Sequence, residues 1–290
     1  MMHIDVVFVC VYVAEQVVNQ LKGMGYDGEI IPTASALLNI DDVELKLYDE
    51  HMMELENVYK YLADDMSKRT METFLNVLWS GDISLWKKVN SISTCKLIDE
   101  EILETNRNHR YIDIGAFDGD TLRGFLHMNH NRFERIVCLE PDEKNYRLLC
   151  DNVKKIPDIE KKQVLLLKLA AGKNNENASF RDNMSESSML EANGNKMVRV
   201  VKLDDMKWAE DLTLLKISTM GSELQVLEGA QRIIRANKPM ITTYISRELL
   251  WQIPLYLKKL VPEYKIYIRH YGIGRQGMAC IAKIERKLEK

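Results

Sequence analysis

Two glycines and two carboxylates within residues 111–142 carry the first chemical signal of this chain. Asp113, Gly115 and Gly119 stand in the run Tyr111-Ile-Asp-Ile-Gly-Ala-Phe-Asp-Gly-Asp-Thr, and Glu140 ends the apolar run that starts at Ile136. Each run reads as a buried strand stopping near an acid, with a glycine turn and a helix between them. A dinucleotide-binding turn requires G-x-G-x-x-G, whose middle glycine admits a pyrophosphate. Here the spacing is D-x-G-x-x-x-G, and Phe117 stands where that glycine would be. This disfavours an NAD-dependent oxidoreductase. A carboxylate at the strand end repels phosphate and suits an ammonium group. A ligand with an ammonium group, a ribose and no phosphate fits, and S-adenosylmethionine is such a ligand.

On this reading Asp113 accepts from the donor's ammonium, directly or through water. Gly115, Ala116, Gly119 and Asp120 form the turn over which the methionine portion lies. The helix that follows, near Thr121, offers free N–H groups to a carboxylate. Glu140 follows the turn at about the offset where an acid holds ribose hydroxyls, and a carboxylate can accept from both. Pro141 continues that site. Asp142 suits either the ligand or a helix N-cap. Asp182, in the polar stretch 179–188, is a candidate for the adenine amino group. His127 and His130 have helical spacing, but no third ligand completes a metal site, so no metal is expected.

These residues need a parallel sheet with crossover helices, and the alternation of strands and helices after Tyr111 supplies the pattern. Helices are expected at 121–128, 142–153 and 223–237, with Ser222-Glu-Leu-Gln225 in capping-box form. A further helix at 249–260 is expected to be interrupted near Pro254. Strands are expected at 163–170, 212–218 and 240–245, with 264–270 and 278–284 as a closing hairpin. Upstream, residues 4–13, 14–22 and 29–32 read as strand, helix and strand, with no glycine in the first turn and therefore no nucleotide there. Residues 41–105 are helical in pattern, with Leu55, Val58, Leu62 and Met66 on one face and Phe74, Leu75, Leu78 and Trp79 on another. A polar stretch near 104–108 sets the expected boundary between an N-terminal subdomain, 1–105, and the main domain, 106–290.

Composition constrains the partners. Of 290 residues, 46% are hydrophobic and 29% charged, as in ordinary globular proteins. A net charge of −3 makes no electrostatic case for nucleic acid. The apolar run Val6–Val13 is too short to span a bilayer and has no basic leader. Five scattered cysteines form no C-x-x-C pair, which suits a reducing compartment. A cytoplasmic protein is expected, with possible homodimerisation through the N-terminal helices.

The motifs as a set resemble the FkbM-type methyltransferases, which use S-adenosylmethionine. The resemblance runs through residues 111–120, Leu139-Glu-Pro-Asp142, Val201-Lys-Leu-Asp-Asp205, Leu215-Lys-Ile217, 221–230 and Lys238-Pro239. Trp251-Gln-Ile-Pro254 and Tyr267-Ile-Arg-His-Tyr271 look like one bacterial branch. The resemblance covers about residues 105–285, and more weakly 58–82. It implies an α/β class I methyltransferase (Rossmann-like) fold with a mostly parallel seven-stranded sheet. It also implies O-methylation of a sugar or another hydroxylated small molecule. The family commonly reads K-x-D-x-E-G-x-E at the fourth strand, whereas this chain has Lys216-Ile-Ser-Thr-Met-Gly-Ser-Glu223. Ser218 and Met220 thus replace two carboxylates, and Ile245 follows Tyr244 where that branch commonly has a histidine. Lys216, Glu223 and His270 remain as the candidate catalytic groups. The alternative is a degenerate, catalytically weak module that binds the cofactor or acts through its N-terminal helices.

Overall fold

The computed structural model describes residues 5–9, 14–32, 42–90, 95, 97–105, 108–157, 159, 163–181, 189–190, 194, 196–271 and 277–285. The chain divides into two compact units. One contains residues 1–92 with Ile245–Trp251 and Tyr267–Ala279, and the other holds the remainder.

The larger unit is built on β3 (His109–Ile114), β4 (Phe133–Leu139), β5 (Val164–Leu167), β10 (Leu214–Ile217) and β11 (Met240–Tyr244). With β12 (Lys265–His270) and β13 (Met278–Lys283) they form a seven-stranded sheet in the order β12-β13-β11-β10-β3-β4-β5. The pairs β3–β4, β4–β5, β3–β10 and β10–β11 are all parallel. The chain winds outward from β3 through β4 to β5, then returns to β10 on the other side of β3. That reversal is the topological switch point of the sheet, where ligands gather beyond the strands' carboxyl ends. Ile112, Ile114, Val137, Leu139, Leu214, Leu215, Ile217 and Ile241 are buried, which accounts for the near-continuous apolar runs of these strands.

Helices α5 (Asp120–Met128), α6 (Glu143–Lys154), α7 (Glu223–Glu228), α8 (Gln231–Asn237) and α9 (Leu249–Leu260) complete the alternation. Asp142 caps α6, accepting from the Lys144 and Asn145 amides at 2.9 Å each. That settles its role as a cap. Other expectations need correction. The helix expected at 223–237 is two helices, and Ser222 makes no side-chain cap bond. The helix at 249–260 is one element with Pro254 inside it. The strand expected over 163–170 ends at Leu167, and β6 (Ala170–Ala171) joins a separate small sheet, β6-β9-β7-β8. That sheet comprises β7 (Glu176–Arg181), β8 (Met189–Leu190) and β9 (Lys196–Val201) as well, around the stretch 179–188 that reads in the sequence only as polar. Lysine at 168, just past the end of β5, is exposed.

In the smaller unit, β1 (Val6–Val9) pairs in parallel with β2 (Glu29–Pro32) across α1 (Ala14–Gly23). Helices α2 (Asp42–Glu50), α3 (Met52–Tyr61) and α4 (Asp65–Ser80) follow, then a 3-10 turn at Ile83–Lys88. Beyond Lys88 no helix occurs among the described residues up to 105, so the helical pattern there ends earlier than expected. Leu55, Val58, Leu62, Phe74 and Leu78 are buried as their periodicity implies, but Trp79 is exposed. Tyr48 packs edge-on against Phe74 and Trp251, and His51 stacks on Trp251 at 4.5 Å. Among the described residues no helix is long and apolar enough to cross a membrane.

Among the described residues, Asp64 with Arg269 forms a polar anchor of this unit. The guanidinium reaches both carboxylate oxygens, at 3.2 and 2.6 Å, and also donates to Ser67 Oγ at 3.0 Å. Asp64 caps α4 as well, accepting from the Ser67 amide at 2.8 Å. Partial burial pushes the Asp64 carboxyl up, but hydrogen bonds from Arg269 and Ser67 outweigh it and hold the group below its usual range. The resulting stability is full above the unfolded carboxylate's pKa, near 4, and is lost as pH falls through the lower folded value. Asp64→Asn should destabilise the protein by about 2–3 kcal/mol near neutrality. This lies below the usual 3–5 for a fully buried pair because Asp64 is one-third exposed. Urea unfolding of both proteins checks this: their stabilities should converge as pH drops below 4.

Candidate functional site

The site begins where β3 runs out. Gly115 adopts φ +71° and Gly119 φ +83°, both left-handed. At Gly115 the requirement is steric as well, because an added Cβ would lie 1.9 Å from the carbonyl oxygen of Ser218 at the end of β10. The amides of Gly115 and Ala116 donate to the Leu139 carbonyl, at 2.9 and 3.0 Å, tying the turn to the end of β4. Gly119 N-caps α5, and Arg123 and Asn152 both donate to the Asp118 carbonyl, at 2.9 and 3.0 Å. Asp120 lies in the first turn of α5, and its carboxylate accepts from the Thr121 amide at 2.7 Å. One of the N–H groups the sequence assigns to a ligand carboxylate is therefore already engaged.

Glu140 is buried at the carboxyl end of β4. Its Oε2 accepts from the Phe117 amide at 2.8 Å and its Oε1 from the Asp142 amide at 2.9 Å. The same side chain therefore shapes the turn expected to carry the donor. Burial raises the Glu140 carboxyl to about 7, against the pull of those two amides and of Lys216. Pro141, beside it, is half-buried.

Asp113 faces Lys216 directly across the β3–β10 register. Lys216 Nζ lies 2.8 Å from Asp113 Oδ1, and the two side chains are 3% and 0% exposed. The same ammonium donates to the Gly115 carbonyl at 2.6 Å. Asp113 is thus sealed against a lysine, unlike the ligand-facing position the sequence suggests. Lys216 is correspondingly engaged by Asp113 and the Gly115 carbonyl.

Glu223 is also buried and engaged. Its carboxylate accepts from the Thr219 and Gly221 amides at 2.9 Å each and folds the loop after β10 around itself. Met220, within that loop, has φ +54°, and Gly221 has φ +112°. His270 belongs to the other compact unit, where it is fully buried, stacks on Trp86 at 3.7 Å and hydrogen-bonds Asn90. Asp182 lies outside the described residues. Asp113, Gly115, Ala116, Glu140 and Lys216 are therefore brought together, with Glu223 on the adjoining loop. Sequence reasoning missed the pairing of Lys216 with Asp113. Its signal was present as two opposite charges, each alone inside an apolar strand.

The family model described as the Methyltransferase FkbM domain matches residues 113–271. This chain belongs to the FkbM methyltransferase family. The crystal structure of Methyltransferase FkbM from Methylobacillus flagellatus KT superposes with a TM-score of 0.73 at 20% identity, covering 96% of this chain and 73% of that one. That likeness and the strand order establish the class I methyltransferase fold. Looser likenesses include a SAM-dependent O-methyltransferase from Thermotoga maritima, with TM-score 0.41 and 11% identity over 71% of this chain and 72% of that one. A Precorrin-6y C5,15-methyltransferase from Geobacter metallireducens GS-15 scores 0.39 at 15% identity, over 64% and 85%. No curated protein matches the sequence. The FkbM match opens at Asp113, so the sealed pair and the glycine turn lie inside the family's own domain.

Two outcomes test this geometry. Gly115→Ala forces a left-handed alanine against a backbone carbonyl and should cost about 2–5 kcal/mol, read by urea unfolding. For Glu140 the folded carboxyl lies above its ordinary 4.5. Stability is then full below that value and declines as pH rises through about 7, by on the order of 3 kcal/mol. Glu140→Gln should flatten the stability–pH curve between those limits; an unchanged slope would assign the titration to another group.

Proposed function

We propose that this protein is an S-adenosylmethionine-dependent methyltransferase acting on a hydroxyl of a small molecule or glycan. The observation that carries the reading is the placement of the buried Glu140 carboxylate beside the left-handed Gly115 turn at the sheet's switch point. Each Glu140 oxygen accepts one amide, and a carboxylate has about four lone-pair sites, so acceptors remain for a ribose diol. The glycine lets a ligand lie close to the backbone, and Phe117 at the middle position argues against a pyrophosphate there. These residues fit the donor.

When bound, the donor supplies a methyl group on a sulfonium, whose departure needs no proton. The protein's part is then to hold donor and acceptor in line, and orientation alone can supply a large share of the rate. Ser218 and Met220 follow the end of β10, at the positions where the family commonly carries carboxylates. Both are half-buried. With Glu223 committed to the loop amides, no carboxylate of this loop is left to draw the proton from an acceptor.

The same observation favours a second reading, a cofactor-binding module with weak turnover. Lys216, Glu223 and His270 are each already engaged, by an ion pair, by two amides, and by a ring stack with a hydrogen bond. A donor-binding titration beside a methyl-transfer assay on sugar acceptors separates the readings. Ser218→Asp with Met220→Glu should leave donor affinity within about threefold and raise hydroxyl methylation by about 10–10². Donor binding with no transfer by either protein supports the module. Equal rates for the two proteins would show that these positions do not limit catalysis.

A further inference from the structure

The Lys216 ammonium donates to two carbonyls, of Gly115 at 2.6 Å and of Ile114 at 3.5 Å, and forms an ion pair with Asp113 Oδ1 at 2.8 Å. The lysine enters from β10 and all three oxygens belong to β3 and its turn. Lys216 therefore links the two strands that flank the switch point. β10 touches the turn a second time, where the Ser218 carbonyl closes on the Cα of Gly115. Asp113 is inaccessible to a probe the size of water, and an ammonium group is no smaller.

We propose that Lys216 is the positioning residue of the donor turn: it holds Gly115 in its left-handed conformation and fills, at Asp113, the place a ligand's ammonium would take. The inference rests on the donor reading above and adds a statement about selectivity. The donor's amino group is read weakly, and affinity comes from the turn's backbone and Glu140. Asp113 acts through Lys216 and is not itself a ligand group.

The test uses the full-length protein, S-adenosylhomocysteine and its analogue lacking only the amino group, with calorimetric titration. The native protein should distinguish the two by less than about tenfold, the value of one ordinary hydrogen bond. Lys216→Met should bind S-adenosylhomocysteine at least about tenfold more weakly. It should also discriminate more strongly against the analogue, because the ligand's ammonium can now approach Asp113. Lys216→Met combined with Asp113→Asn removes both charges, which protects folding, and should return the discrimination to the native level. Native discrimination of about a hundredfold or more, or full affinity in Lys216→Met, overturns the proposal. If neither ligand binds the native protein, the donor reading itself fails. Amide hydrogen exchange then decides the clamp: residues 116–119 should exchange at least about tenfold faster in Lys216→Met, relative to α9. Equal exchange there overturns it.

Discussion

The larger unit depends on one buried ion pair. Removing two charges from water costs several kcal/mol per ion, which only close geometry and full hydrogen bonding recover. Asp113 and Lys216 meet the first condition, because β3 and β10 place them opposite each other in the parallel register. Neither Asp113 oxygen accepts a hydrogen bond, so the pair recovers that cost by its close ionic contact alone. A slip of one residue would turn the lysine to the other face of the sheet, leaving both charges unpaired. The pair therefore specifies which strands adjoin at the switch point, and in which register. The turn inherits that precision. Gly115 is held on one side by the lysine, on another by the Leu139 carbonyl, and has no room for a Cβ.

Much of this was legible in the sequence, for identifiable reasons. Strands buried on both faces read as apolar runs, so β3, β4, β10 and β11 stand out from the chain. The D-x-G-x-x-x-G spacing located the turn, because only glycine tolerates φ near +71° beside a backbone carbonyl. What was not legible depends on long-range register. Asp113 reads as a ligand group from its place at a strand end, and only the facing residue on β10, about a hundred positions later, shows that it is already paired. Likewise Ser222-Glu-Leu-Gln225 has the spacing of a capping box. Glu223 reaches back instead to the Thr219 and Gly221 amides, a choice set by the left-handed bend at Met220 and Gly221.

The residues near the C-terminus that resemble one bacterial branch have a structural explanation in the smaller unit. Trp251 packs with Tyr48 and stacks on His51. Arg269 binds Asp64 and Ser67, and His270 stacks on Trp86 beside Asn90. In every case a motif residue from the end of the chain meets a residue from helices or turns within the first ninety. A short sequence signature so far from the glycine turn thus records the closing of a compact unit. This is why His270, plausible as a base by residue type, is a buried member of an aromatic stack.

The two networks leave a particular distribution of charge around the Gly115 turn. Lys216 neutralises Asp113, the loop amides occupy Glu223, and Glu140 is buried enough that its carboxyl titrates near neutrality. A general base is effective when it is available to the reacting proton and tuned near the working pH. Glu140 has the second property, and it sits at the end of β4, on the far side of β3 from Ser218 and Met220. Charge in this site is therefore spent on shaping the backbone. A methyltransferase built this way relies on the alignment of its reactants for its rate.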